Sequence, residues 1–235
     1  MIFNESSEKL KLIVAIDGPS GAGKSSVTKA LSDRLGYLHI DTGAMFRVVA
    51  LMASRSGIDP DDRQSLAKLC SGLDIEFAVS DGVCHVLVNG EDVTADIRNP
   101  QVSLLTSRIA AIPDVRSHLL FLQRRMSESG GVVLEGRDIG TVVFPDADIK
   151  FYLTASAEER GRRRFAELKA KGLDVNLEQT VAEVVQRDEQ DINREYAPLS
   201  RADDAIEIDS TALSLEEVIS LMEKHIHSKE RCLKV

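Results

Sequence analysis

No stretch of this chain approaches the ~20 consecutive apolar residues that a membrane-spanning helix requires. Its beginning is too polar for a secretory leader, with Asn4, Glu5, Ser6, Ser7 and Glu8 in succession. A cytosolic protein with no membrane partner is therefore expected. Positive charge is also in short supply, since 29 Lys and Arg against 38 Asp and Glu leave a net charge of −9. Such a chain lacks the broad basic face on which nucleic-acid polymers bind, so any anion site has to be a local cluster of arginines. Cysteine is scarce as well. Cys70, Cys84 and Cys232 are odd in number and lack metal-ligand spacing, so they read as reduced, structural thiols. His39, His85, His118, His225 and His227 form no ligand set either. Internal repeats, low-complexity tracts and a coiled-coil seam are missing, and a monomer is expected. What is present, 235 residues with 43% hydrophobic content, suffices to bury a sizeable core as one domain over 1–235.

Against that background one segment stands out. Gly18, Pro19, Ser20, Gly21, Ala22, Gly23, Lys24 and Ser25 spell GxxxxGK[ST] directly after the apolar run 12–16, which predicts strand, tight loop and helix. The glycines let the backbone turn so that several N–H groups surround a phosphate, and the helix that follows adds its positive end. Lys24 would reach the β- and γ-phosphates, and the Ser25 hydroxyl would ligate Mg²⁺.

Short apolar runs alternate with helical patterns along the rest of the chain, the signature of a parallel sheet wrapped by helices. Strands are expected at 12–16, 38–40, 132–134, 149–153 and 206–208, about five in all, with helices at 24–35, 44–55, 101–111 and 115–129. Pro113 should break the last two apart. Between 73 and 97 the rhythm changes: alternating residues at 75–79 and 83–88, around Ser80, Asp81, Gly82 and then Asn89, Gly90, predict a small antiparallel insertion.

A phosphate loop alone does not name a reaction. Arg137 and Asp138 follow the run 131–134, at the carboxyl end of a parallel strand where α/β sheets hold their ligands. Arg160, Arg163 and Arg164 fall at i, i+3 and i+4 on a helix beginning near Ser156, and phosphate oxygens are natural targets for them. Arg187, Asp191 and Arg194 share a helical face at i, i+4 and i+7. On spacing alone, structural ion pairs and solvated arginines remain alternatives for all three sets.

Taken together, these segments resemble the bacterial cytidylate kinases, the short-chain CMP/dCMP kinases among the nucleoside monophosphate kinases. The carriers are 16–25 (IDGPSGAGKS), 40–47 (IDTGAMFR), 136–145 (GRDIGTVVFP), 156–164 (SAEERGRRR), 187–194 (RDEQDINR) and Asp209, Ser210, Thr211, and the match runs from Ile13 to Ile219. The resemblance implies a P-loop NTPase fold with an enlarged monophosphate-binding region at 42–130, containing the β insertion, and a helical lid at 156–172. It implies transfer of a phosphoryl group from ATP, with Mg²⁺, to CMP or dCMP. Residues 18–26, ending in Ser26, would hold the ATP phosphates. Thr42, Phe46 and Arg47 would line the CMP site, and Ser107, Arg116 and Asp138 would surround the cytosine. Arg47 and Arg137 would clamp the CMP phosphate, while Arg187, Asp191 and Arg194 would serve its ribose and phosphate. Lys24, Arg137, Arg160, Arg163 and Arg194 would be the catalytic cations, with Arg160, Arg163 and Arg164 belonging to the lid.

The match has departures. Phe46 stands where the family pattern has a tyrosine, and the run 132–134 ends in Glu135 rather than in a Walker B aspartate. Mg²⁺ would then be held by Ser25, the phosphates and water. A kinase for another small acceptor, such as UMP or a non-nucleotide alcohol, is the nearer alternative. A GTPase-like switch would need a guanine-reading NKxD element that the chain does not contain.

Overall fold

The computed structural model describes residues 11–80 and 83–233; the polar start at 4–8 and the turn residues Asp81 and Gly82 lie outside the described residues. In chain order, β1 (Ile13–Asp17) enters the phosphate loop and α1 (Lys24–Leu35), and β2 (Leu38–Asp41) runs straight into α2 (Thr42–Arg55), followed by α3 (Arg63–Ser71). Next come β3 (Ile75–Ser80), β4 (Val83–Val88), β5 (Glu91–Asp92), α4 (Pro100–Ile109), α5 (Pro113–Met126) and β6 (Val132–Gly136). A wide helical turn at Ile139–Val143 precedes β7 (Ile149–Thr154), α6 (Ala157–Ala170), α7 (Leu177–Ile192), β8 (Ile206–Asp209) and α8 (Leu215–Leu233).

The five long-range strands form one sheet in the order β2-β6-β1-β7-β8, every neighbour parallel. Both faces are covered, which is why β1 and β6 are apolar without alternation. Ala15, Val132 and Leu134 point into a cluster with α2, α5 and the insertion, whereas Val14, Ile16 and Val133 point into a second cluster with α1 and α8. The insertion is a separate antiparallel sheet, β3-β4-β5. Asn89 (φ 49°) and Gly90 (φ 81°) form its two-residue turn, the left-handed pair that a twisted hairpin needs.

Local chemistry moves several expected boundaries. Asp41 caps α2 by accepting from the Ala44 N–H at 2.9 Å, so the helix starts at Thr42 rather than at 44. Pro113 separates α4 from α5 as expected, and it does so as the first residue of α5, where a missing N–H costs no hydrogen bond. The helical face through Arg187, Asp191 and Arg194 is cut short, because α7 stops at Ile192. There the chain doubles back through Ala197 (φ 50°), and the Leu199 N–H bonds the Asp191 carbonyl at 2.8 Å, so Arg194 belongs to a loop. Two helices were not foreseen. The nine-residue α3 buries only Leu66 and Cys70, too few for a clear period, whereas α8 carries Val218, Ile219, Met222 and Ile226 at legible helical spacing.

Candidate active site

The phosphate loop is shaped by what its glycines must avoid. A Cβ at Gly18 (φ 150°) would lie 2.0 Å from the Leu153 carbonyl oxygen on β7, and Gly21 and Gly23 are also left-handed at φ 77° and 95°. The Lys24 ammonium folds back over the loop and donates to the Gly18 and Pro19 carbonyls, 2.7 Å each. Burial, helped by the charges of Arg137 and Arg187 and opposed by Glu135 and Asp17, brings it down to about 7. Ser25 and Ser26 are exposed at the start of α1. The Ser25 hydroxyl donates to Glu135 Oε2 at 2.8 Å, and His39 Nε2 lies 3.0 Å from Glu135 Oε1.

Glu135, at the strand end where a Walker B aspartate would stand, is thus the acidic partner of the Ser25 hydroxyl. It is buried at the end of β6, in register with Ile16 of β1 and Asp41 of β2. Its signal was present, an acid closing an apolar strand, but the partnership with Ser25 spans 110 positions. Ser25 and Glu135 offer only oxygen, the donor chemistry Mg²⁺ prefers. Among the described residues no group of three or more His, Cys, Asp or Glu could hold a metal. Phosphates and water would have to supply the remaining ligands.

Arg160 and Arg163 lie against this loop. Ser156 caps α6 by accepting from the Glu159 N–H, which aims the next turn at the loop. Arg160 is buried, donating to the Ser20 carbonyl at 3.0 Å and the Ala155 carbonyl at 2.9 Å, and pairing with Asp188 at 2.5 Å. Arg163 donates to the Ala22 carbonyl (3.3 Å), to Ser210 and to Glu159. Arg164 turns outward to Glu167.

One strand over, β6 delivers Arg137 and Asp138. Arg137 Nε donates to Asp191 Oδ2 at 2.7 Å, and Arg194 pairs with the other oxygen of the same carboxylate. Burial pushes the Asp191 carboxyl up, but Arg137 and Arg194 hold it below the usual carboxylate range. Among the described residues Arg187 makes no close ion pair, although Asp191 acts on it electrostatically; its Nε is buried without a hydrogen-bond partner, and burial together with Arg137 lowers it to about 10. Arg47 pairs with Asp41 at 2.6 Å. The result is a cluster of cations whose charge exceeds that of its carboxylates, with Arg137 and Arg187 near enough to Lys24 to act on it.

Beside it opens a cleft lined by Thr42, Phe46, Arg116, Gln123, Asp138 and Tyr196, among others. Arg116 pairs with Asp138 and stands 5.3 Å above the Phe46 ring. The Thr42 hydroxyl is taken by the Glu135 carbonyl at 2.7 Å. Ser107, half-buried on α4, is not among the residues lining this cleft. Gln123 lines it without a local signal, because nothing in its neighbouring sequence distinguishes an inward polar group from an outward one, whereas Tyr196 and Ala197 line it as the stretch that follows Arg194, the end of that segment expected to face the substrate.

Residues 14–228 match the cytidylate kinase family model. The chain is 66% identical over 94% of both chains to the cytidylate kinase of Geobacter sulfurreducens. It is also 45% identical to that of Pasteurella multocida, covering 93% of this chain and 98% of the relative. Among solved structures, an uncharacterised protein from Eubacterium ventriosum shares the fold with a TM-score of 0.51, at 13% identity over 92% of this chain and 99% of its own. A chain whose phosphate loop faces a cluster of arginines across adjacent strands, and which matches those relatives almost end to end, belongs to the cytidylate kinase family.

Proposed function

We propose that the protein transfers the γ-phosphoryl group of ATP to CMP and dCMP, giving ADP and CDP or dCDP, as a cytoplasmic monomer of pyrimidine nucleotide metabolism. The observation that carries this is the adjacency of two anion sites. Asp17, which enters the Lys24 loop, and Gly136, which precedes Arg137, stand opposite each other on β1 and β6. Direct transfer needs that proximity. An oxygen of the CMP phosphate attacks Pγ as the bond from Pγ to the bridging oxygen of ADP breaks, and no nucleophilic side chain is required.

The side chains then align and neutralise. Lys24 covers the β- and γ-phosphates, Arg137, Arg187 and Arg194 hold the acceptor phosphate, and Asp191 accepts from the ribose. Arg160 and Arg163 tie α6 to the loop, so a lid movement of 156–172 would act on ATP through the loop as well as over it. Ser25 with Glu135 would hold Mg²⁺ and its water, and the ion when bound neutralises charge on the transferring phosphates. Asp138 accepts from cytosine N4 while Arg116 donates to N3 or O2; uracil reverses the first two, leaving mismatches of about 1 to 3 kcal/mol each.

Transfer of labelled γ-phosphate from ATP to a panel of CMP, dCMP, UMP and AMP tests the reading. CMP and dCMP should be turned over fastest, and Asp138→Ala should raise the CMP KM far more than the ATP KM. Preference for UMP or AMP, or an unchanged CMP KM in that variant, would overturn the acceptor assignment.

A further inference from the structure

Asp17 ends β1, opposite Gly136 of β6, and its hydrogen bonds run to main-chain amides rather than to the phosphate-binding side chains. Its backbone opens the ATP loop. Its carboxylate is buried and accepts from two consecutive amides of the acceptor turn, Ile139 N–H at 2.8 Å and Gly140 N–H at 2.7 Å. We propose that Asp17 is the positioning residue that fixes the turn carrying Arg137 and Asp138 against the ATP-binding loop, an inference that rests on the acceptor reading of that turn.

The argument starts from what else holds the turn. After Gly136 the chain leaves β6 and makes a wide turn, in which the Val143 N–H reaches the Asp138 carbonyl and the Phe144 N–H reaches that of Ile139. At its far end, Lys150 Nζ donates to the Pro145 carbonyl at 2.5 Å and Arg124 Nε to the Val143 carbonyl at 2.9 Å. At its near end, the ladder with β1 holds the chain up to Gly136, and beyond it the side chains of Arg137 and Asp138 are held by ion pairs of the functional groups themselves, Arg137 with Asp191 and Arg116 with Asp138. A nucleotide that recruits those guanidinium groups and carboxylates competes for the very contacts that position them. The bonds to Asp17 run to main-chain amides that no substrate has to take, so they persist through the exchange of partners.

Asp17 is itself closely packed. The next residue, Gly18, has no room for a Cβ against Leu153, and on the other side a Cβ at Gly140 would lie 3.0 Å from Lys150 Cδ and 3.4 Å from Asp17 Oδ2. The carboxylate, the turn and Lys150 therefore pack at contact distance, and a displacement of the ATP loop is passed to the acceptor turn. An asparagine keeps the shape but offers one oxygen and aims an NH₂ at an N–H, so one of the two bonds is replaced by a donor facing a donor.

Steady-state kinetics and amide hydrogen exchange of Asp17→Asn against wild type test this. The CMP KM should rise about tenfold, with the ATP KM within about twofold, and the Ile139 and Gly140 amides should exchange faster while those of Val133 and Leu134 stay protected. A general loss of fold would lower kcat with the active fraction and leave the KM ratio alone. Equal rises in both KM values, or unchanged exchange at Ile139 and Gly140, would overturn the proposal. If the Asn variant does not fold, Asp17→Glu, which keeps the charge but displaces it by a methylene, is read by the same criteria. Failure of wild type to use CMP would instead refute the acceptor reading.

Discussion

Two buried groups and the half-buried Arg187 show how the site uses the cost of desolvation. Lys24 and Arg187 are both pulled down by burial and by Arg137, so a phosphate bound among them would offset their mutual repulsion. Asp17 is the opposite case. Burial pushes its carboxyl from 3.8 up to about 6, although the Gly140 and Ile139 amides oppose the shift. A carboxyl raised in the folded state holds its proton more tightly there than when unfolded. Its contribution to stability is therefore complete below 3.8 and is lost as pH rises through about 6. Wild type should gain about 1 kcal/mol relative to Asp17→Asn between pH 7 and pH 5. Urea unfolding of both proteins at the two pH values measures it, and a difference that is flat or opposite in sign rejects the assignment.

At the scale of elements, the contact between α6 and α7 decides how the arginines meet the loop. A Cβ at Gly161 would fall 2.3 Å from Val181 Cγ2 and 3.0 Å from Val181 Cα, so only glycine lets the two helices approach this closely. Alanine is the better helix former by roughly 1 kcal/mol, but it collides with backbone as well as with a stiff β-branched side chain. Gly161→Ala should cost about 1 to 3 kcal/mol net and strain the Arg160 to Asp188 pair. A urea midpoint equal to or above that of wild type would show that α7 can yield. The sequence made α6 legible through Ser156 and its arginine spacing, and α7 through its charges. It could not show where α7 stops, because charges at helical spacing continue past Ile192 whereas the bond from Leu199 to Asp191 ends the helix. Nor could it show that Arg160 is spent on Ser20 and Asp188, contacts 140 and 28 positions away.

For the whole molecule, alternate residues of β1 and β6 feed two apolar clusters, and the insertion adds Ile75, Val86, Val88 and Val93 to the one beneath α2. Neither cluster can open without exposing the sheet that serves the other. Tyrosine fluorescence, free of tryptophan background, and far-UV ellipticity should therefore lose their signals at the same urea concentration. An early transition confined to one probe would mean that the insertion or the α6 and α7 pair unfolds separately. The chain's own order determined the strand, loop and helix of the phosphate site, the hairpin turn at Asn89 and Gly90, and the two-sided apolar strands, because each depends on neighbours within a few residues. Only the tertiary structure decided that Glu135 answers Ser25, that Asp191 joins Arg137 to Arg194, and that Asp17 reaches across to the acceptor turn. The contacts of Ser25 with Glu135, of Asp191 with Arg137 and of Asp17 with the acceptor turn are made by elements that the parallel sheet lays side by side, and closeness in space is independent of separation along the chain.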